Sequence, residues 1–515
     1  MKRSFLYGRS VFFLVSVLLI SVLCMACGSA SGSRLPYAAA GLTERQAAAF
    51  LLDRIGFGPR PGEVDRVLAK GLERWLDEQL KGDLPDSALQ ARLGDLPIWT
   101  MSTREIASTY INYGTVLGEA RREGYIPKDN VGMTAEQIRA KAEEYGRMKG
   151  YRPENEMIEG LERQKLLRAV YGENRLVEVL TDFWFNHFNV NLHHGSARTY
   201  IFSYERDAIR PYVLGKFLSL VRATAAHPAM LHYLDNAQST AAPTKPGARG
   251  GINENYAREL MELHTLGVDG GYNQQDVLAA ARVLTGWSVE PRGDFVFRPE
   301  RHDNSPVTVM GESFAAGGQV EGERLLLFLS RHRATARHIA EKMAARFVQD
   351  DPPKQLVDRL AKVFLETDGD LRLIMKALLE STEFWQASAR RDKIKTPFAL
   401  AVSSIRAVGA EVETPQNIIN WIARMGQPLY ACLPPTGYSD RGERLLNAGT
   451  LVARMNFTTA LVRGNVRGIK MPSPLPDPTQ LLPGRDVAQI IKTAGSSVLA
   501  VQSEVLLGSP EFQRY

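Results

Sequence analysis

Cysteine is almost missing from this chain, with three residues in 515, at positions 24, 27 and 432. Cys24 falls in an N-terminal leader and Cys27 reads as acylated, so the body keeps one free thiol, forms no intramolecular disulfide and depends on burial of apolar surface for its stability. No later segment repeats the uncharged apolar run of the leader, which leaves no further candidate for a spanning helix. A surplus of one charge is lacking as well. Lys plus Arg is 63 against 57 for Asp plus Glu, a formal +6, and removing Lys2, Arg3 and Arg9 with the leader halves it. With no basic run interleaved with aromatics, nucleic acid is excluded as a partner. No HExxH, nucleophile elbow, Walker A loop or dinucleotide fingerprint is present. At 44% apolar and 23% charged residues, disorder and collagen-like structure are excluded too.

A leader is what the first 30 residues supply. A cationic start precedes an apolar stretch from Val11 to Ala26, broken only by Ser16 and Ser21, and small residues follow from Cys27 to Ser33. That order is a secretory signal, and the stretch is too short to span a bilayer. Leu23-Cys24-Met25-Ala26-Cys27 resembles a bacterial lipobox, with Cys24 where leucine is usual. It predicts removal of residues 1–26, lipidation of Cys27 and anchoring to the membrane through that lipid; cleavage near Ala30 would give a secreted protein instead. Gly28 and Ser29, with no Asp after the cysteine, resemble the pattern of an outer-membrane lipoprotein facing the periplasm or the exterior.

From Gly41 onward apolar residues recur at three- and four-residue spacing, which predicts an all-α fold. Thr396-Pro397 and Asp351-Pro352-Pro353 mark helix starts, and a further helix begins at Asn273 to Asp276. The Gly- and Pro-rich stretches 238–252 and 288–323 read as loops, with Phe295–Phe297 and Val307–Val309 in the second pairing as one small hairpin. Residues 27–40 read as a flexible tether and 41–463 as the main helical domain. A linker at 464–486, holding five of the 27 prolines, then precedes a C-terminal helical segment, 487–515. LLESTEF at 378–384 returns as LLGSPEF at 506–512, a single echo rather than a period.

Polar chemistry gathers between His187 and His338, which contain all nine histidines. If the helix beginning near Asn174 runs on, Leu176, Leu180, Phe183, Trp184 and His187 share a face that Asn191 and His194 continue. His187 then points inward, as a core histidine with one partner or as a general base. In the segment from Asn253 to Gly267, Asn255, Glu259 and Glu262 form a stripe with Arg258 beside it, while Tyr256, Leu260 and Leu263 take the other side. Glu259 and Glu262 repel at i+3 unless Arg258, a cation or a shared proton relieves them. His264 stands near the end of this helix. Asp235 and Asn236 precede the first loop, and His302-Asp303 lie in the second.

The strings LDRIGFGPRPGEVD (52–65), WFNHFNV (184–190), AMLHYLDN (229–236), NENYARELMELHTLGVDGGY (253–272), DVLAAARVLTGW (276–287), RHD (301–303) and ATARHIAEKMAARFVQDDPP (334–353) resemble the bacterial domain-of-unknown-function family numbered eighteen hundred, over nearly the whole mature chain. The resemblance implies a helical, commonly exported protein without an established activity, and gene neighbours that resemble sulfatases. The family's usual HDxGxKT appears here with Ser305 and Val307 in place of glycine and lysine, and its aromatic after ATAR is His338. His193, His194 and His232 stand outside the family pattern.

These observations predict a membrane-anchored lipoprotein with Glu259, Glu262 and His187 as catalytic groups. Asn255, Asp235, Asn236, Arg258, His264, His302 and Asp303 are the expected binding groups. Two carboxylates suit acid and base work on an envelope or extracellular polysaccharide, or a divalent cation as cofactor. The alternative is a non-catalytic scaffold or binding subunit for a sulfatase-like partner.

Overall fold

Helix Glu44–Gly56 illustrates how the body is assembled. Thr43 accepts from the Gln46 backbone N–H while the Gln46 side chain reaches back to Thr43, a reciprocal cap. Every residue from Ala47 to Gly56 is buried, so the helix has no solvent face and lies inside the fold. The computed structural model describes residues 34–94, 96–129, 132–241, 251–390 and 392–515. About 60% of it is helical, with small two-stranded sheets beside the helices, so the fold is predominantly all-α. The signal segment and Cys27 lie outside the described residues. No helix among the described residues is long and apolar enough to cross a membrane.

One apolar cluster runs from Leu35 through helices Glu154–Tyr171, Arg175–His187, Arg333–Phe347 and Pro397–Ala407 to Phe512 and Tyr515. Buried ion pairs lace it together. Arg406 donates to the carbonyls of Gly58 and Val170, both at 2.6 Å, and to Glu63 at 2.8 Å, and Glu63 also takes Arg175. The helical hairpin of Tyr113–Arg122 and Ala135–Met148 has a small core of its own around Ile126, Ala142 and Tyr145.

Three organisational expectations need correction. The described part of the tether, 34–40, is packed: Leu35 is buried, Arg34 pairs with Asp77 and Glu380, and the Tyr37 ring meets Trp385. Residues 464–486 are no linker, because Val466, Leu481 and Leu482 are buried in the main core and Ile469–Lys470 pairs with Glu411–Val412. Prolines there break the helix without releasing the chain from the core. Phe295–Phe297 pairs with Trp287–Val289, and Val307–Val309 with Glu312–Phe314, so the loop carries two hairpins rather than one. Met310 and Gly311, both at positive φ, make a two-residue turn whose twist suits adjacent strands.

Thr396 caps helix Pro397–Ala407 through the Ala399 N–H, as its sequence predicts. The heptapeptide echo has a structural meaning as well. Ser381 and Ser509 each donate to the carbonyl three residues back and accept from the N–H three residues on. Each serine turns one helix into the next and buries the following phenylalanine, Phe384 or Phe512.

Candidate functional site

Residues Asn255–Glu259 are α-helical and pass directly into a π-helix, Leu260–Thr265. The wider turn is visible in the Leu266 N–H, which bonds to Met261 at 2.8 Å, and in the Thr265 hydroxyl, which bonds to Leu260 at 2.6 Å. Such π-turns interrupt helices most often where function requires it. Tyr256, Ala257, Leu260, Met261, His264 and Thr265 are buried by this register, with Glu259 and Glu262 half-buried and Asn255 exposed. Gly267 ends the segment at φ 85°, and a Cβ there would sit 2.9 Å from His338 Nδ1. Backbone conformation and the facing ring both require glycine.

The carboxylate pair has no arginine between its members. Arg258 donates to Glu254 at 3.0 Å and to Gln274 at 2.9 Å rather than to Glu262. Tyr272 donates its hydroxyl to Glu262 at 3.2 Å. Desolvation and then the Glu262 charge push the Glu259 carboxyl above the ordinary carboxylate range. With Arg258 engaged elsewhere, no arginine relieves the repulsion between the two carboxylates. Among the described residues no group of three or more His, Cys, Asp or Glu side chains gathers to hold a metal ion, and two carboxylates alone are a poor set for a hard cation.

The histidines cap helices. His187 donates Nε2–H to the His264 carbonyl at 3.1 Å, and His338 donates Nε2–H to the Leu263 carbonyl at 3.2 Å. These are carbonyls of the last turn, left without intrahelical partners. At the opposite kind of terminus, His227 Nδ1 accepts from the Ala229 N–H and His332 Nδ1 from the Ala334 N–H, both at 3.2 Å. Burial, reinforced by Lys342, holds His187 well below the usual imidazole range and lowers His264 to about 3 and His338 to about 4. His187 therefore sits against the C-terminal end of the carboxylate helix, where burial favours its neutral form, with Nε2–H on the His264 carbonyl and Nδ1 buried without a partner. Helix Arg175–His187 ends at that residue. Asn191 and His194 do not extend its face.

The remaining predicted positions brace the surroundings. Asp235 adopts φ 60° and its carbonyl faces the Asn253 side chain at 3.5 Å. Asn236 is buried and donates to the carbonyls of Leu284 and Trp287 at 3.1 and 3.0 Å. His302 contacts the Thr285 carbonyl and Glu321, while Asp303 pairs with Arg282 at 2.8 Å, which holds its carboxyl down at about 2. These contacts fix the long loop to helix Gln274–Val283. The fold thus keeps Asn255, Arg258, Glu259 and Glu262 on one helix, gives His187, Asn236, His302 and Asp303 hydrogen bonds that brace the surrounding chain, and buries the His264 ring with no partner for its Nε2.

A second polar locus escaped the sequence reading. Asn186 exchanges two 2.7 Å hydrogen bonds with the Tyr438 backbone, and Asn189 donates to the carbonyls of Cys432 and Pro434 at 3.0 and 2.9 Å. Gly437, at φ 72°, lies so close that a Cβ would overlap the Asn186 carbonyl. Beneath this loop is a cavity of about 40 Å³ bordered by Lys165, Asp182, Arg346, Tyr430 and Asp440. It has room for one or two waters and none for a sugar ring. The pair of asparagines flanking His187 in WFNHFNV is the signal that would have pointed to it. No curated protein and no solved structure matches the chain. The model of the family described as protein of unknown function (DUF1800) matches residues 50–514, and the chain belongs to that family.

Proposed function

We propose that the protein is an exported envelope lipoprotein, anchored through Cys27, that binds or cleaves an envelope or extracellular polysaccharide with Glu259 and Glu262. One observation carries the reading: two half-buried carboxylates share an outer helix face without an intervening arginine, and one of them has its acidity lowered. Glu262 lies close enough for its charge to raise the Glu259 pKa, the coupling that sets an acid carboxyl apart from its partner. Glu259, with its raised pKa, serves as the acid, and Tyr272 fixes the orientation of Glu262. The full-length protein, Glu259→Gln and Glu262→Gln are incubated with cell-wall sacculi and extracellular polysaccharide, and both binding and new reducing ends are measured. Loss of binding or turnover in both variants at unchanged melting temperature supports the proposal, and variants indistinguishable from wild type refute it. Labelling cells with a fatty-acid probe tests the anchor, which Cys27→Ser must abolish.

A second reading, a docking subunit for a sulfatase-like partner, is favoured by the exposed apolar stripe Leu451, Val452 and Met455 on helix Ala448–Val462. Lysine substitution along that stripe would abolish such a complex and leave any saccharide binding intact.

A further inference from the structure

Among the large apolar side chains of the described residues, Leu433 is the most exposed, at 71%, yet the backbone that carries it is pinned at three consecutive carbonyls. Asn189 donates to Cys432 at 3.0 Å and to Pro434 at 2.9 Å, and the Tyr233 hydroxyl donates to Leu433 itself at 2.7 Å. Asn186 clamps Tyr438 behind them. A single exposed leucine is ordinary. Fixing its backbone from the inside costs conformational entropy, which is returned when a ligand meets the tip already in place.

The tip shares its supports with the carboxylate segment. Asn186 and Asn189 flank His187, which bonds to the His264 carbonyl at the end of that segment, and the Phe188 ring lies 5.1 Å from the His264 ring. Tyr233 closely precedes Asp235, whose carbonyl faces the Asn253 side chain at the segment's start. Tip and carboxylates therefore hang on the same two pieces of chain, 186–189 and 233–235. The Tyr233 hydroxyl registers both neighbours: burial first, with Cys432 and Glu259 adding to it, pushes it up to about 12. What the tip offers a ligand is chiefly apolar surface, because its carbonyls are engaged and Pro434 and Pro435 have no N–H. The flat face of a sugar ring takes an aromatic platform, and the Tyr233 ring behind the tip is buried. A branched leucine suits a methyl-sized group instead. We propose that Leu433 and Pro434 form an apolar subsite beside Glu259 that takes the acetamido methyl of an N-acetylated sugar, which makes N-acetylated polysaccharide the substrate class; this rests on the saccharide reading of the carboxylate pair.

The test titrates the full-length protein by calorimetry with two hexaoses of the same linkage, chitohexaose, which carries acetamido groups, and cellohexaose, which carries hydroxyls in their place. The wild type should bind chitohexaose about tenfold more tightly. Leu433→Ser should bring the two sugars to parity at unchanged Tm, since the side chain it replaces is exposed. Tyr233→Phe frees the Leu433 carbonyl without altering the apolar surface, so as a positioning residue it should narrow the preference in the same direction. Equal or absent binding of the two hexaoses by the wild type, or a preference that persists in Leu433→Ser, overturns the subsite. If sacculi are then still bound in a manner that Glu259→Gln abolishes, the carboxylate reading stands, and if they are not, it falls as well.

Discussion

Acidification from pH 7 to pH 5 should strip this fold of most of its stability, because its buried histidines can be protonated only when it opens. An imidazole whose folded pKa is depressed contributes fully above its unfolded value near 6.5, and that contribution is lost as pH falls toward the folded value. For His338, held at about 4, the loss at pH 5 comes to about 2 kcal/mol. His227 and His264, each held at about 3, lose a similar amount each, so the three together lose about 6 kcal/mol, and His187 acts in the same direction. Glu162, pushed up to about 7, takes a proton more readily when folded and returns about 2 kcal/mol. The net loss of about 4 kcal/mol is a large part of the roughly 5–15 kcal/mol that holds a domain together. Urea unfolding at pH 7, 6 and 5, followed by tryptophan fluorescence, measures it. His338→Gln keeps a donor for the Leu263 carbonyl and His227→Asn keeps an acceptor for the Ala229 N–H, so each should remove about 2 kcal/mol of the pH dependence without removing the cap. A stability that is flat from pH 7 to 5, or variants with the wild-type slope, would show that these rings are not held buried and neutral.

Gly437→Ala should cost at least about 3 kcal/mol, since it places a Cβ onto the Asn186 carbonyl at a left-handed φ; a thermal shift near zero would mean that the loop is not clamped. Arg406→Met should cost about 3–5 kcal/mol by stranding two carbonyls and half of the Glu63 network, read from chemical denaturation. Cys432 should resist thiol reagents at pH 8 in the folded state, because burial raises its pKa to about 11, and it should react at once in denaturant. Rapid labelling of the native protein would contradict that burial.

Helices were legible wherever a local signal specifies them. Thr396 before Pro397 and Asn273 before Asp276 set their caps within four residues, and the apolar period does the rest. What the sequence hid depends on partners far along the chain. The histidine cluster looked like chemistry because imidazoles serve ligands and helix ends alike, and only the fold shows that His187 and His338 meet the carbonyls of residues 264 and 263. The π-turn after Glu259 changes the register by one residue, so an α-helical reading of the stripe could not say what each later side chain meets. The paired hairpins were missed because Met310-Gly311 lacks the Asn-Gly or Asp-Gly of a typical tight turn. Proline content at 464–486 suggested a spacer, whereas Leu481 and Leu482 anchor it in the core.

Wiring of this kind sets when the chain can close. Arg406 reaches Glu63 across 343 residues of sequence, and Arg485 reaches Asp53 across 432. Loop closure over such separations comes late in folding. With only the first four hundred residues present, Glu63 can take Arg175 and Asp53 can take Lys395, but Arg406 and Arg485, which complete the two networks, are still missing. Completion of the core around the N-terminal helices therefore waits for the segments that carry Arg406, Arg485 and Phe512.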